Sequence, residues 1–329
     1  MENCLTILVT GAAGFIGYHV ARALLDRGEQ VVGIDNLNSY YDVRLKQARL
    51  AQLDGREGFV FLRADVADRE AVGAVLGAHA GIRAIVHLAA QAGVRYSMQD
   101  PWSYVSSNLM GHLVMLEAAR HMPQCQHLVY ASSSSVYGAN RKLPFSEADR
   151  VDTPLSLYAA TKRADELMSH AYAHLYGIPQ TGLRFFTVYG PWGRPDMAYF
   201  SFARAIMLGE PITVYDDGRL RRDFTYVDDI VAGIIGCLDR PPMDPRQPRL
   251  LNIGNSRSET VSELIDLLER SLGRSALRRS VPRPLADVEE TFASVEAIGA
   301  LTGFAPRTPL ADGVPRFAEW FLKWMATEK

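Results

Sequence analysis

Hydrophobic residues follow two alternating spacings along the first 185 residues of the chain. Short runs rich in β-branched residues, such as 5–10 and 30–35, are typical of buried strands. Between these runs, apolar residues such as Val20 and Leu24 recur at the spacing of an amphipathic helix. The strands predicted in this way are 5–10, 30–35, 59–62, 84–88, 127–131 and 180–185. Because strands that alternate with helices usually form a parallel sheet, we predict an α/β fold with a doubly wound, Rossmann-like sheet that binds ligands at the carboxyl ends of its strands.

The same pattern predicts a second, smaller unit. The sheet domain is expected to cover residues 1–185 and to take in the segment 224–254, which leaves 186–223 and 255–329 for a C-terminal α/β lobe. Two long helices are predicted within the first unit, at about 101–120 and 155–176. Four aromatic residues near the C-terminus have helical spacing and are predicted to lie in the core: Phe317, Trp320, Phe321 and Trp324.

Composition excludes several classes of protein. The chain has 329 residues, of which 48% are hydrophobic and 22% charged, and its formal net charge is −2, as in an ordinary soluble globular protein. It has no basic block for nucleic acid and no apolar run of membrane-spanning length. Its three cysteines are scattered, and no signal peptide is evident, so we expect a cytoplasmic protein without disulfides or a metal site.

A glycine-rich turn lies between the first predicted strand and helix. Gly11 permits the tight turn, Gly14 lets backbone N–H groups approach a pyrophosphate, and Gly17 lets the helix pack close to the sheet. Asp35 ends the second strand, where a carboxylate accepts ribose hydroxyls and repels a 2′-phosphate. The alternative is a structural strand–helix–strand unit with incidental glycines, but the combination favours bound NAD over NADP. The other residues predicted to contact this cofactor are Phe15, Ile16, Asn36, Asp65, Val66, Leu88, Ala89, Tyr158 and Lys162.

Candidate acid–base residues follow the fifth strand. Tyr158 and Lys162 stand four residues apart on a predicted helix, so both side chains emerge on one face. A tyrosine titrates near pH 10, and about 4 kcal/mol of selective stabilisation is needed to make its phenolate available at neutral pH. A nearby ammonium supplies part of this, and a hydroxyl from the serine run 132–135 can share the proton. Taken alone, these residues are better explained as a solvated helix face and a hydroxyl-rich turn than as catalytic groups.

Together, these motifs resemble the extended short-chain dehydrogenase/reductase family, and within it the NAD-dependent nucleotide-sugar epimerases. The segments that carry the resemblance span the whole chain: 11–17 (GAAGFIG), 87–90 (HLAA), 132–138 (SSSSVYG), 158–162 (YAATK) and 222–229 (RDFTYVDD). The resemblance implies that Ser133, Tyr158 and Lys162 are catalytic, that Arg222 binds the nucleotide diphosphate, and that Asp287 lies near the uridine ribose. It also implies a homodimer, in which the helices near 101–121 and 155–176 form a four-helix bundle.

Within that family, the chain most resembles the UDP-glucuronate 4-epimerases. The similar segments are 40–43 (YYDV), 90–95 (AQAGVR) and 184–197 (RFFTVYGPWGRPDM), whereas 282–287 (PRPLAD) departs from the usual pattern and weakens the assignment of Asp287. The resemblance implies a UDP-sugar acid substrate, NAD that stays bound, and oxidation at sugar carbon 4 followed by hydride return to the opposite face. Residues assigned to the sugar are Arg95, Ser134, Ser135, Thr187 and Arg194.

Related activities are distinguished by single residues. The 4,6-dehydratases carry Asp-Glu and the UDP-glucuronate decarboxylases a glutamate where this chain has the neutral Ser134 and Ser135, and UDP-galactose 4-epimerases usually carry asparagine at Thr187. The main alternative is a UDP-glucose/UDP-galactose 4-epimerase. A decarboxylase or a non-catalytic NAD-binding protein of the same fold is further from the pattern. His87 and Asn108 are interpreted as a buried strand residue and a structural amide of a helix rather than catalysts.

Overall fold

The computed structural model describes residues 5–283 and 288–327, and its strands begin and end close to the apolar runs of the sequence. The strands are β1 Thr6–Thr10, β2 Gln30–Asp35, β3 Phe59–Arg63, β4 Ile82–His87, β5 His127–Ser133, β6 Gln180–Phe185, β7 Thr187–Tyr189, β8 Pro211–Tyr215, β9 Arg221–Arg222, β10 Phe224–Tyr226, β11 Arg249–Ile253, β12 Glu259–Thr260, β13 Leu277–Val281 and β14 Glu290–Thr291. Observed β2 and β6 have the predicted bounds, and the other four predicted strands differ by one or two residues at their ends.

Seven strands form one parallel sheet in the order β11-β6-β5-β4-β1-β2-β3. The direction in which the strands are added reverses between β1 and β4, and Thr10 at the end of β1 lies between Ile34 and His87. Most apolar side chains on both faces of the inner strands are buried, as a sheet covered by helices on both sides requires, whereas the edge strand β3 leaves Val60 exposed. The predicted doubly wound parallel fold is therefore confirmed, and the carboxyl ends of its strands meet at one edge.

Helices cover both faces of this sheet. Among the described residues, the α-helices of both layers are α1 Phe15–Asp26, α2 Val43–Ala51, α3 Arg69–Ala78, α4 Pro101–Tyr104, α5 Gly111–Arg120, α6 Leu157–Tyr176, α7 Ala198–Leu208, α8 Val227–Leu238, α9 Val261–Leu272, α10 Glu296–Thr302 and α11 Leu310–Thr327. Helices α1 and α8 pack together on one face, while α5 packs against α3 and α6 on the other. Within the described ranges, no helix combines the length and apolar character needed to cross a membrane.

The remaining elements form a smaller α/β layer beside the sheet. Strand β13 pairs with β8, β9 lies between β12 and β14, and α9 packs against α7 and α11. Strand β11, which comes after β10 and α8 in the chain, pairs with β6 at the edge of the large sheet. Of the four predicted core aromatics, Phe317 and Phe321 are fully buried, and Trp320 and Trp324 pack against the same cluster.

One predicted helix is interrupted. Residues 101–120 were expected to form a continuous α-helix, but the segment Val105–Met110 between α4 and α5 has π-helical hydrogen bonding. Asn108 lies inside this segment and uses its amide to bind the backbone of Gln91 at 2.8 and 3.1 Å and the Thr161 hydroxyl at 3.0 Å. The spacing of apolar residues does not reveal this widened turn, because the turn is associated with the tertiary hydrogen bonds of one buried amide.

Candidate active site

A cleft of about 470 Å³ opens at the carboxyl ends of the sheet strands. Most of the residues selected from the sequence lie together in its wall. These are Gly11, Gly14, Phe15, Ile16, Gly17, Asp35, Asn36, Val66, Leu88, Ala89, Ser133, Ser134, Ser135, Tyr158, Lys162, Thr187, Arg194 and Arg222. The position agrees with the general rule for doubly wound sheets, which bind ligands where the strand order reverses.

The glycine turn has no room for side chains. Gly11 has φ +71°, and a Cβ atom there would lie 2.9 Å from the backbone nitrogen of Ala89. A Cβ on Gly14 would lie 2.9 Å from the Gly11 carbonyl oxygen, and one on Gly17 would collide with that same oxygen. Helix α1 starts at Phe15 with no acidic side chain in its first turn. Its first backbone N–H groups and its dipole therefore favour an anion such as a pyrophosphate.

Asp35 is held rigidly at the end of β2. It is 7% exposed, and its carboxylate accepts hydrogen bonds from the backbone N–H groups of Leu37 at 2.8 Å and Ala13 at 3.3 Å. The ammonium of Lys46 lies 4.0 Å from Oδ1 of Asp35 and donates to Oδ1 of Asn38 at 2.7 Å. Burial lowers the pKa of Lys46, and the charge of Asp35 opposes this shift. Sequence analysis did not identify Lys46, because a lysine in an ordinary helix carries no local signal.

Asp65 contacts the cleft only indirectly. Its carboxylate accepts a hydrogen bond from Nδ2 of Asn36 at 2.8 Å and from the backbone N–H of Ala67 at 2.9 Å. Asn36 lines the cleft and Asp65 does not. The structure therefore places Asp65 as a support for Asn36.

The serine run divides between two environments because successive strand side chains point to opposite faces. The Ser132 hydroxyl donates to the buried Glu166 at 2.6 Å. Ser133, at the end of β5, accepts hydrogen bonds from the backbone N–H of Ser135 at 3.2 Å and from its hydroxyl at 3.0 Å. Ser133 is thereby fixed at the start of the short 3₁₀ turn Ser134–Tyr137.

Tyr158 lies in the first turn of α6, whose N-terminus is capped by Ser156. Its ring meets the edge of the Tyr104 ring at a centroid distance of 5.9 Å, and the Tyr104 hydroxyl donates to the Ala92 carbonyl at 3.0 Å. Tyr104 was not identified from the sequence. The contact between these two rings fixes the side of the cleft on which the Tyr158 phenol stands.

Lys162 is 3% exposed and lies one turn after Tyr158. Its ammonium donates to the Ala131 carbonyl at 2.9 Å and to Oδ2 of Asp165 at 3.0 Å. Burial raises the pKa of Asp165 to about 6, while the charge of Lys162 opposes that shift. The spacing of three residues was a visible signal for this ion pair, but sequence analysis did not identify it.

A buried ion pair joins the strands to α6 behind the cleft. Glu166 accepts hydrogen bonds from Nε and Nη2 of Arg184 at 2.8 and 2.9 Å, and both side chains are almost completely inaccessible. The phenol of Tyr137 accepts from Arg184 at 3.1 Å. These bonds hold β5, β6 and α6 together where the Ser133 and Tyr158 side chains enter the cleft.

On the opposite wall, Thr187 lies on β7 and Arg222 on β9. The guanidinium of Arg194 forms a two-point ion pair with Asp196, with distances of 2.5 and 3.0 Å, and Asp196 also accepts from the Tyr40 hydroxyl at 3.1 Å. The charge of Arg194 is therefore matched within the protein. Arg194 thus lies in the cleft wall as one member of an ion pair that Asp196 links to Tyr40.

Two predicted substrate residues are not placed in the cleft. Arg95 is exposed, and its guanidinium lies over the ring of Tyr215 at 4.9 Å. Its neighbours in the chain, Ala92 to Val94, do line the cleft. Asp287 lies outside the described residues.

His87 is a buried strand residue, as predicted. It is 3% exposed and lies 2.8 Å from the Thr10 hydroxyl, whose oxygen accepts the backbone N–H groups of Leu88 and Ala89. Burial lowers the pKa of His87 to about 3, so the imidazole is neutral at physiological pH. The structural interpretation of Asn108 is supported by the three hydrogen bonds described above.

Comparison with known proteins agrees with this geometry. Residues 7–254 match the model of the NAD dependent epimerase/dehydratase family. A protein of Rhizobium meliloti named probable UDP-glucuronate 4-epimerase is 47% identical over 329 residues, covering 95% of this chain and 96% of its own length.

Solved structures of the same shape contain nucleotide sugars. The UDP-glucuronic acid 4-epimerase of Bacillus cereus, solved with UDP-glucuronic acid and NAD, superposes with a TM-score of 0.90 at 33% identity and covers 97% of this chain and 100% of that one. The UDP-glucose 4-epimerase of Thermotoga maritima, solved with UDP-glucose, gives a TM-score of 0.87 at 28% identity, covering 98% of this chain and 100% of that one. With a glycine turn, a Ser/Tyr/Lys group and a matching family model along most of its length, the chain belongs to the NAD dependent epimerase/dehydratase family.

Proposed function

We propose that this protein interconverts UDP-glucuronate and UDP-galacturonate by transient oxidation at sugar carbon 4. The observation that carries the proposal is a wall of neutral hydroxyls, Ser134, Ser135 and Thr187, in the same cleft as Ser133 and Tyr158. Hydroxyl donors bind a carboxylate without adding a competing negative charge. The Rhizobium and Bacillus relatives support the same choice of sugar.

We infer that the sheet unit, residues 1–185 with 224–254, holds NAD, and that residues 186–223 and 255–329 hold most of the UDP-sugar. The glycine turn suits a pyrophosphate, since Gly11, Gly14 and Gly17 line the cleft without side chains beside the start of α1. Asp35 would accept the ribose hydroxyls of NAD, and Asn36, Val66, Leu88 and Ala89 line the same cleft. When bound, NAD supplies the acceptor and the donor of hydride at carbon 4.

The protein's own residues control the proton. Tyr158 removes the proton of the 4-hydroxyl. Ser133, whose hydroxyl accepts a hydrogen bond from the Ser135 hydroxyl, positions or relays that proton. Lys162 would bind the nicotinamide ribose and stabilise the Tyr158 phenolate through its charge. The 4-keto sugar then turns over in the cleft, and the same Tyr158 returns the proton after reduction from the opposite face.

The carboxylate imposes a second requirement. Oxidation at carbon 4 makes a β-keto acid, which loses CO₂ when its carboxyl bond aligns with the carbonyl π-system. Because Asp196 neutralises Arg194, we assign the carboxylate to the hydroxyl wall, where each charge-assisted hydrogen bond contributes about 1.5–3 kcal/mol. These bonds would hold the carboxyl group out of alignment and so prevent decarboxylation. Arg222, in the cleft wall at β9, is assigned to the diphosphate.

The test is incubation of the pure protein with UDP-glucuronate or UDP-glucose without added NAD, followed by chromatography of the UDP-sugars. We expect UDP-galacturonate from the first substrate and little conversion of the second. Better turnover of UDP-glucose would instead establish the UDP-glucose 4-epimerase alternative, and UDP-pentose as the main product would establish a decarboxylase.

Thr187→Val tests the carboxylate assignment separately. It should weaken binding of the sugar acid by about tenfold and release UDP-pentose, as expected for the loss of one such bond. The matched control is Thr213→Val, on the exposed side of β8. If Thr187→Val behaves like this control, the carboxylate binds elsewhere.

We further propose a cytoplasmic homodimer. Large apolar side chains around α4, the π-helical turn and α6 are exposed: Met98 is 73% exposed, Trp102 80%, Met110 50% and Leu167 55%. A second copy that covers them with its own α4–α6 region would form the four-helix bundle implied by the family resemblance. Sedimentation should give a dimer that Trp102→Glu weakens, while a wild-type monomer at micromolar concentration would contradict the proposal.

The free thiols of Cys125 and Cys237 fit a reducing compartment.

A further inference from the structure

Asp165 is a buried carboxylate that the proposed chemistry does not use. It lies three residues after Lys162 on α6 and is 1% exposed. Its Oδ2 atom accepts a hydrogen bond of 3.0 Å from the Lys162 ammonium. Its other oxygen, Oδ1, has no hydrogen-bond partner among the described residues. A carboxylate left half satisfied in the protein interior is costly unless a nearby charge compensates it.

The titratable groups packed around this carboxylate come from three elements. On α6 they are Lys162 and Glu166, on α5 His112, and on β5 Tyr130. Glu166 is committed to Arg184, and burial lowers the pKa of His112 well below its ordinary value and raises that of Tyr130. Between pH 6 and pH 10 the last two are therefore neutral. Asp165 therefore supplies the negative charge beside the Lys162 ammonium.

We propose that Asp165 is a positioning residue that keeps Lys162 charged and directed at the cleft. Lys162 is almost completely buried, and the pKa of a buried amine without a counter-charge falls by up to several units. The carbonyl of Ala131 orients the ammonium, but it carries no net charge. Asp165 thus preserves the positive charge that stabilises the Tyr158 phenolate. This inference rests on the proposed function, in which Lys162 activates Tyr158.

The test compares pH–rate profiles of the NAD-loaded enzyme. In Asp165→Asn the alkaline limb, where rate is lost with rising pH, should move to lower pH by at least one unit, because the buried ammonium has lost its counter-charge. The ratio of wild-type to variant kcat should therefore rise between pH 7 and pH 9, and it should approach a tenfold change where the pH exceeds the midpoints of both limbs. Asp165→Glu, which keeps the charge, should restore the wild-type position of the limb. Asp239→Asn, which removes a carboxylate paired with Arg27 far from the cleft, should leave the profile unshifted.

A constant rate ratio across this pH range would show a merely structural role and would overturn the proposal. If Asp165→Asn does not fold, the double variant Lys162→Met/Asp165→Asn shows whether the unpaired Lys162 ammonium is the cause. It should fold if the damage comes from an uncompensated ammonium, and failure of the double variant overturns the proposal. A second measurement needs no substrate. The difference in ultraviolet absorbance between each protein and its Tyr158→Phe counterpart reports the ionisation of Tyr158. Because this measurement uses no substrate, it tests the role of Asp165 even if the proposed substrate is wrong.

Discussion

Replacing Asp35 by asparagine should reverse the preference for NAD over NADP. The carboxylate is fixed by two backbone N–H groups, so it cannot turn away from an incoming 2′-phosphate. Two like charges about 4 Å apart repel by about 4 kcal/mol at an effective dielectric of 20. That repulsion corresponds to about a thousandfold loss of affinity.

Lys46 reduces this discrimination. Its ammonium donates a hydrogen bond to Asn38 and lies 4.0 Å from Oδ1 of Asp35. At about 8 Å from the phosphate it would attract by about 2 kcal/mol. The wild type should therefore prefer NAD by roughly 30-fold, and Asp35→Asn should prefer NADP by about the same factor. Lys46→Met should move the preference in the other direction, to about a thousandfold for NAD.

The assay is calorimetric titration of cofactor-free protein with NAD and with NADP for the wild type and both variants. The comparison depends on the ratio of the two affinities, so a general loss of binding does not affect it. An unchanged ratio in Asp35→Asn would refute the position assigned to the carboxylate. A shift toward NADP in Lys46→Met would refute the electrostatic account of Lys46.

Three further changes test other parts of the structure. Tyr158→Phe should reduce turnover by about 10²–10⁴-fold in the epimerase assay yet still purify with NAD, because the glycine turn is untouched; near-normal turnover would identify a different base. Glu166→Gln should lower the free energy of unfolding in urea by about 3–5 kcal/mol, because Arg184 keeps a buried charge without its partner, whereas Glu319→Gln on the surface should have no comparable effect. Burial lowers the pKa of His19 and His87 to about 3 from 6.5, so below pH 6.5 the unfolded state binds protons that the native state does not. Stability should fall on acidification by about 1.4 kcal/mol per pH unit for each of these histidines down to about pH 3, and His19→Gln should reduce that slope in urea titrations at pH 7, 6 and 5.

The features that the sequence alone determined are local. Strand β2 has the predicted bounds because a short apolar run between polar turns leaves few alternatives, and β6 has them although Gln180, Thr181 and Arg184 interrupt its apolar pattern. The glycine turn and the pair Tyr158 and Lys162 were recognisable because backbone geometry brings residues at those separations to one place, whatever the rest of the chain does.

Tertiary packing decided which charges are compensated. The Lys46 ammonium reaches Asp35 only because α2 folds back beside β2, and the pair Arg194–Asp196 is joined to a distant part of the chain by the hydrogen bond from the Tyr40 hydroxyl to Asp196. Arg95 turns away to Tyr215, which stands far along the chain on β8. Charges interact with whatever lies within a few ångströms in space, and a linear pattern carries no information about those distances. The site's residue types were therefore readable from the sequence, whereas its electrostatics required the fold.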